Sequence, residues 1–183
     1  SEMCIRDRKV TIAKKTDVKV KIDNLSAFKD LANSLIEKYA VPTEATETFL
    51  SDPAKAEKFL VPTALEPDGA KEAKVEATEN GYKVTITLVS ETVDYKTAPK
   101  YNTQASLPLA GIAEIAAQNN VTVKSSSFNY AGTVLTAEID KDGNILSLNH
   151  KMPLKLEASV KYGIMKVEGS GSGQYTLDAT FTY

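Results

Sequence analysis

Residues 154–183 read "LKLEASVKYGIMKVEGSGSGQYTLDATFTY", and how they are read decides the fold. Leu154, Leu156, Ala158, Val160 and Tyr162 alternate with Lys155, Glu157, Ser159 and Lys161. Tyr175, Leu177, Ala179 and Phe181 alternate in the same way with Thr176, Asp178 and Thr180. A strand turns successive side chains to opposite faces, so a period of two predicts strands with one apolar face and one wet face. That is the pattern of an antiparallel sheet. Between the two runs lies Gly169-Ser170-Gly171-Ser172-Gly173, which has two readings. It is a flexible turn, or its glycines keep the parity of Val167 and Tyr175 and form a smooth strip on the apolar face. Parity inclines to the second: one long, bent strand after a turn near Gly163, with glycine permitting a bend or a close approach.

Working outward, residues 133–150 ("TVLTAEIDKDGNILSLNH") predict a hairpin around Asp142-Gly143. Residues 73–91 predict another around Asn80-Gly81, the strongest short-range hairpin signal. Residues 17–23 ("DVKVKID") alternate as a half-buried strand, and a short strand is expected near residues 47–50. Two stretches have helical rhythm instead. In residues 26–40 the apolar positions Phe28, Leu31, Ala32, Leu35, Ile36 and Tyr39 follow the i, i+3, i+4 spacing. Ser26 or Asn24 supplies the cap and Pro42 the stop. Residues 107–118, capped by Ser106, place Leu109, Ile112, Ala113 and Ala116 on one side. A third, short helix is expected over residues 52–60, and residues 92–106 read as a polar connector.

These elements predict an α+β fold. A curved, half-barrel-like antiparallel sheet of about six to eight strands carries two main helices on its concave, apolar face. The inward residues are Leu135, Ala137, Ile139, Leu154, Leu156, Ala158, Val160, Leu177 and Phe181. Leu31, Leu35, Ile36, Ile112 and Ala116 pack on them from the helices.

Composition narrows the function. The chain has 183 residues, 42% apolar and 25% charged, as in an ordinary globular domain. A net charge of −2 offers no basic face for nucleic acid. No apolar run approaches the roughly 18 residues of a membrane span.

The first residues differ from the rest. Cys4, Arg6 and Arg8 are the only cysteine and arginines. "MCIRDR" (3–8) resembles the conceptual translation of a transposase mosaic-end sequencing adapter. The expectation is that residues 1–8 are non-native and pack poorly, and that residues 9–183 form one domain truncated at its N-terminus. A chain without cysteine has no disulfide, thiolate metal site or cysteine nucleophile. Cysteine-free chains rich in Lys, Thr, Ser and Tyr are common among exported Gram-positive proteins, which points to an extracytoplasmic place, the signal peptide being lost with the upstream part.

No motif carries chemistry. "DKDGN" (140–144) begins like a calcium loop, but Ile145 and Lys151 stand where such a loop needs Gly and a bidentate Glu. "GSGSG" is followed by no Lys-Ser/Thr and opens no helix, so it is neither a phosphate loop nor a dinucleotide fingerprint. His150 is the single histidine, which rules out a multi-histidine metal site. It is expected at the solvated surface. No catalytic residue, metal ligand or cofactor is expected.

Residues 129–159 ("NYAGTVLTAEIDKDGNILSLNHKMPLKLEAS"), with "LANSLIEKY" (31–39) and "YKVTITLVSET" (82–92), resemble secreted or lipid-anchored proteins of clostridia-like bacteria. More distantly the order of elements resembles envelope lipoprotein carriers of the LolA and LppX type. That resemblance implies a sheet curled around helices, an apolar lipid-like ligand on the residues named above with Leu35 and Ile112, and no catalytic residues. The other expectation is a structural or protein-interaction domain of the cell envelope with a solid core.

Overall fold

The computed structural model describes residues 11–25, 30, 46–50, 65–102, 118 and 120–182. Among them run nine strands: β1 (Thr11–Leu25), β2 (Thr46–Leu50), β3 (Ala70–Thr78), β4 (Gly81–Leu88), β5 (Glu91–Val93), β6 (Val121–Tyr130), β7 (Val134–Asp140), β8 (Ile145–Tyr162) and β9 (Met165–Thr182). All pair antiparallel in one sheet. The order is β2-β1-β9-β8-β7-β4-β3, with β6 on β8 and β5 on β6.

The spine is the β8–β9 hairpin. It closes through Gly163-Ile164, with Gly163 at φ 59, a backbone state that suits a residue without Cβ. From Tyr162↔Met165 to Ser147↔Thr180 the register never shifts, about 50 Å of ladder at ~3.3 Å per residue between strands of 18 residues each. The glycine segment is therefore strand and not turn: Gly169 stands opposite Ala158, Gly171 opposite Leu156 and Gly173 opposite Leu154. β1 continues the sheet on the far side of β9, Ile22 opposite Gly171 and Val20 opposite Gly173.

β8 has two partners on its other edge. Through Lys151 it pairs with β7, and from Leu154 onward with β6. Pro153 lies between. Counted from the two-residue turn, odd-numbered residues of β8 aim their backbone groups at the β6/β7 edge. The missing N–H of Pro153 thus falls where no strand needs it, the one kind of interior place a proline suits. Gly132, at φ 81 in the β6–β7 connection, passes beside it: a Cβ there would lie 4.0 Å from the Pro153 ring.

The expected α+β architecture is corrected. The elements of the described residues are antiparallel strands and one 3-10 turn, Pro67–Gly69, and no α-helical element packs on the sheet among them. Of the predicted helices at 26–40 and 107–118, only Asp30 and Gln118 are described, single helical residues that make no element. The helix at 52–60 and the first eight residues lie outside the described residues. Four register shifts, at Ile22/Asn24, Ala70/Glu72, Val123/Ser125 and Glu138/Ile139, bend the sheet, since a bulge raises the local twist.

Both predicted hairpins form. At β3–β4 the loop is Glu79-Asn80 and Gly81 opens β4, one residue earlier than the motif suggested. A Cβ on Gly81 would sit 2.0 Å from the Ile139 carbonyl oxygen of β7. At β7–β8, Gly143 (φ 87) has open space where a Cβ would go. Gly143→Ala is expected to cost only the backbone strain, about 1 kcal/mol. Gly81→Ala also drives a methyl into a strand backbone and is expected to cost about 3 kcal/mol or more. Urea unfolding of the two variants checks the order; equal losses would contradict the packing described.

Candidate functional site

The register sorts the side chains of the central strands onto two faces. Lys151, Lys155, Glu157 and Lys161 lie exposed on one. On the other lie all nine predicted lining residues of the sheet. Tyr130 stands opposite Leu154, Phe128 opposite Leu156, Val123 opposite Val160, Leu135 and Leu177 on either side of His150, and Ala137 opposite Leu148. Leu154 and Phe181 are buried, whereas Leu135, Ala137, Ile139, Leu156, Ala158, Val160 and Leu177 are half-buried. Leu35 and Ile112 lie outside the described residues, as do Leu31, Ile36 and Ala116. The glycines run through the middle of this face as a strip without side chains, flanked on β8 by Leu154, Leu156 and Ala158.

A tight cluster of Phe128, Tyr130, Met152 and Leu154 anchors the face, with Val93, Tyr95, Leu156 and Tyr175 packed against it. Two polar atoms are stranded at it. The Tyr130 hydroxyl and His150 Nε2 are buried without a hydrogen-bond partner. Burial, and secondarily the charge of Glu91, pushes the Tyr130 phenol up to about 12. His150, expected at the surface, is only 7% exposed, and its ring meets Tyr175 edge-on at 5.7 Å. Its polar neighbours in sequence, Asn149 and Lys151, misled the reading. The parity that places it with Leu148 and Met152 was the available signal.

A second cluster was not legible. The "polar connector" folds back through Glu91, the first residue of β5. Its carboxylate accepts from the backbone N–H groups of Lys100 (2.5 Å), Tyr101 (3.0 Å) and Asn102 (2.8 Å), and from the Asn102 side-chain amide. Asn102 and Thr133 are each 1% exposed, and the Thr133 hydroxyl donates to Asn102 Oδ1 at 2.6 Å. Tyr101 donates to Asp68, holding that carboxyl below its usual range. Lys100 pairs with Glu66 at 2.6 Å and stands over the Tyr101 ring at 4.5 Å. The cluster ties residues 94–102 to the 3-10 turn before β3. Every oxygen of Glu91 is engaged in holding the chain, so this is a structural hub and not an acid–base centre. The Asp140 tip works likewise. Its carboxylate accepts from the N–H groups of Asp142 (2.9 Å) and Asn144 (2.8 Å) and from the Asn144 amide, so its oxygens close the loop.

Two hollows border the central strands. One of about 300 Å³ is polar and open, lined by Glu157, Ser159, Glu168 and Ser170 with Ala158 and Gly169. Ala158 is the one predicted lining residue it touches. The other, about 690 Å³, opens at the Gly163 end between Tyr95, Val121, Val123 and Lys161. The Tyr95 N–H, bonded to Ser126 Oγ at 2.9 Å, holds that loop against β6. Among the described residues no cluster of His, Cys, Asp or Glu is placed to hold a metal. Nor is any helix among them long and apolar enough to cross a membrane. No family model, curated protein or solved structure matches the chain.

Two outcomes follow from these clusters. Glu91→Ala strips an acceptor from several N–H groups at once and is expected to cost about 3 kcal/mol in urea unfolding, since each buried donor left unpaired costs about 1–3 kcal/mol. Little or no loss would remove Glu91 as the hub. For His150, desolvation lowers the pKa from 6.5 to about 4. The unfolded chain therefore binds the proton first as pH falls. The stability this neutral histidine allows is complete above pH 6.5 and drains away between 6.5 and about 4, by about 3 kcal/mol at most. His150→Leu is expected to flatten that part of the stability–pH curve, and an unchanged slope would contradict it.

Proposed function

We propose that the chain is a non-enzymatic binding or carrier module for an apolar, lipid-like ligand, working outside the cytoplasm as a secreted or lipid-anchored protein. The observation that carries this reading is the glycine strip. Three residues without side chains, the middle one, Gly171, buried, lie along the centre of an apolar face as a smooth strip that suits a long apolar chain. Half-buried leucines, valine and alanines surround the strip, and ligand sites are mostly apolar with a few polar groups. His150 Nε2 and the Tyr130 hydroxyl supply such groups for the polar end of a ligand. The cleft of about 690 Å³ at the Gly163 end falls in the size range of small-molecule sites; Val121, Val123 and Tyr95 give it apolar walls beside Asn120, Thr122 and Lys161. The extracytoplasmic place rests on the cysteine-free, lysine- and threonine-rich composition of residues 9–183.

A second reading has its own observation. Val75 and Tyr82 are large apolar residues left 64% and 49% exposed at the β3–β4 margin, which suits a protein-interaction domain of the cell envelope.

Solvent extraction of the purified chain followed by lipid mass spectrometry, with titration of oleate against a bound fluorescent probe, separates the two. The carrier reading expects extracted lipid or saturable oleate binding. It also expects Gly173→Leu, which raises the floor of the strip, to weaken oleate binding about tenfold or more with the fold retained by circular dichroism. A clean extract with no oleate binding would sink it.

A further inference from the structure

We propose that β3 is a self-association edge, on which a second copy of this chain adds its own β3 antiparallel about a two-fold axis at Val75. β3 is the last strand on its side of the sheet among the described residues, and it is exposed along its length from Lys71 to Thr78. The ladder fixes which backbone groups are free. Leu88 N–H donates to Thr133 on the β7 side, and Val89 N–H donates to Gly69 on the β3 side. Odd residues of β4 therefore face β3, and through Thr78↔Gly81, Glu76↔Lys83 and Lys74↔Thr85 the even residues of β3 face β4. The N–H and C=O groups of Ala73, Val75 and Ala77, beyond the register shift at Ala70/Glu72, point out of the sheet edge, ready for another strand.

Charge then selects the strand and the register. An antiparallel partner must bring outward-facing residues opposite outward-facing residues, so candidate registers differ by steps of two. Centred on Val75, a second β3 places Lys74 opposite Glu76, Glu76 opposite Lys74, Lys71 opposite Glu79, Glu72 opposite Thr78, Ala73 opposite Ala77 and valine on valine. Lys74 and Glu76, bridged to each other along the strand at 2.8 Å, each meet an opposite charge across the axis. Shifting the axis to Lys74 sets lysine on lysine and Glu72 on Glu76, and shifting it to Glu76 sets glutamate on glutamate. Both are disfavoured, because like charges directly opposite destabilise a ladder. An axis at Ala73 avoids like charges but sets Lys71 against Val75 and shortens the ladder. Charges on an edge strand ordinarily repel unwanted strands; here the same charges admit one copy of themselves in one register.

The pairing also uses the exposed apolar residues. Val75 lies opposite Val84, which lies opposite Ala137, so Ala73, Val75 and Ala77 share the apolar face of the sheet. A two-fold axis normal to the sheet keeps that face on one side in both copies. The bare stripe of Val75 and Tyr82 becomes continuous with its counterpart. A single strand-to-strand contact is small, so the dimer is weak and concentration-dependent.

Sedimentation equilibrium of the full chain over about 1 μM to about 1 mM tests this. A reversible monomer–dimer equilibrium is expected. Val75→Pro removes an N–H that points to solvent in the monomer and leaves the β3–β4 ladder intact. It is expected to stay monomeric throughout, with unchanged circular dichroism. Lys74→Glu is expected to weaken the dimer about tenfold or more, since it sets like charges opposite each other twice, and the exchange K74E/E76K is expected to restore it. The rescue reads the register whether or not Val75→Pro folds. A wild-type chain monomeric at every concentration, a dimer indifferent to Val75→Pro, or an exchange as weak as Lys74→Glu alone would overturn the proposal.

Discussion

The unshifted ladder between β8 and β9 is the constraint on which the rest of the sheet depends. Because side chains alternate with a period of two, one register decides the burial of some 30 positions together. A slip by one residue would turn Met152, Leu154, Leu156 and Val160 to water and put Lys155, Glu157 and Lys161 on the face of Phe128 and Tyr130. Each exposed leucine or valine forfeits about 2 kcal/mol, and each unpaired buried charge costs several kcal/mol. Together these exceed the roughly 5–15 kcal/mol that holds a domain folded. The turn at Gly163 sets the register once, and β1, β6 and β7 inherit it as they pair onto the hairpin.

The edge of β8 shows how one strand serves two neighbours. β7 and β6 pair end to end along it, and Pro153 falls in the gap between them. On either side of this gap the sheet spreads into two wings, β7-β4-β3 and β6-β5. The Glu91 hub joins them. Glu91 starts β5 in one wing, Asn102 donates to it and accepts from the Thr133 hydroxyl in the β6–β7 link, and Tyr101 donates to Asp68 beside β3 in the other. A polar network so completely satisfied rigidifies the place where two short pieces of sheet meet, and the cost of burying it is offset by its own pairings.

The alternating runs of β8 and β9, both hairpins and the strand at 17–23 were legible because a half-buried strand writes its two faces directly into the sequence. The glycine segment was half legible: parity pointed to a strand, but nothing local distinguishes that from a turn, and only the partners on β8 and β1 decide. The order of strands was not legible, since pairing partners such as Val84 and Ala137 are far apart in sequence and alternate alike. The α+β expectation gave way to an antiparallel sheet because the long alternating runs of β1, β8 and β9 dominate the described residues, and amphipathic spacing at 26–40 and 107–118 says what a segment prefers, not how the described sheet is built. His150 and Glu91 were missed because polar residues were taken for solvated ones. His150 shared the parity of Leu148 and Met152, whereas nothing near Glu91 in sequence announces donors ten residues away.

The central feature of the fold is a glycine strip held in extended strand at the centre of an apolar face. Cross-strand Hα–Hα contacts in solution NMR test it most directly. In the register described, Lys155 lies opposite Ser172 and Glu157 opposite Ser170, and both pairs are of the closely spaced, non-hydrogen-bonded kind in which such contacts are strong. The account predicts both contacts, together with slow amide exchange at Gly171. Random-coil shifts through residues 169–173, with contacts only between sequence neighbours, would contradict it.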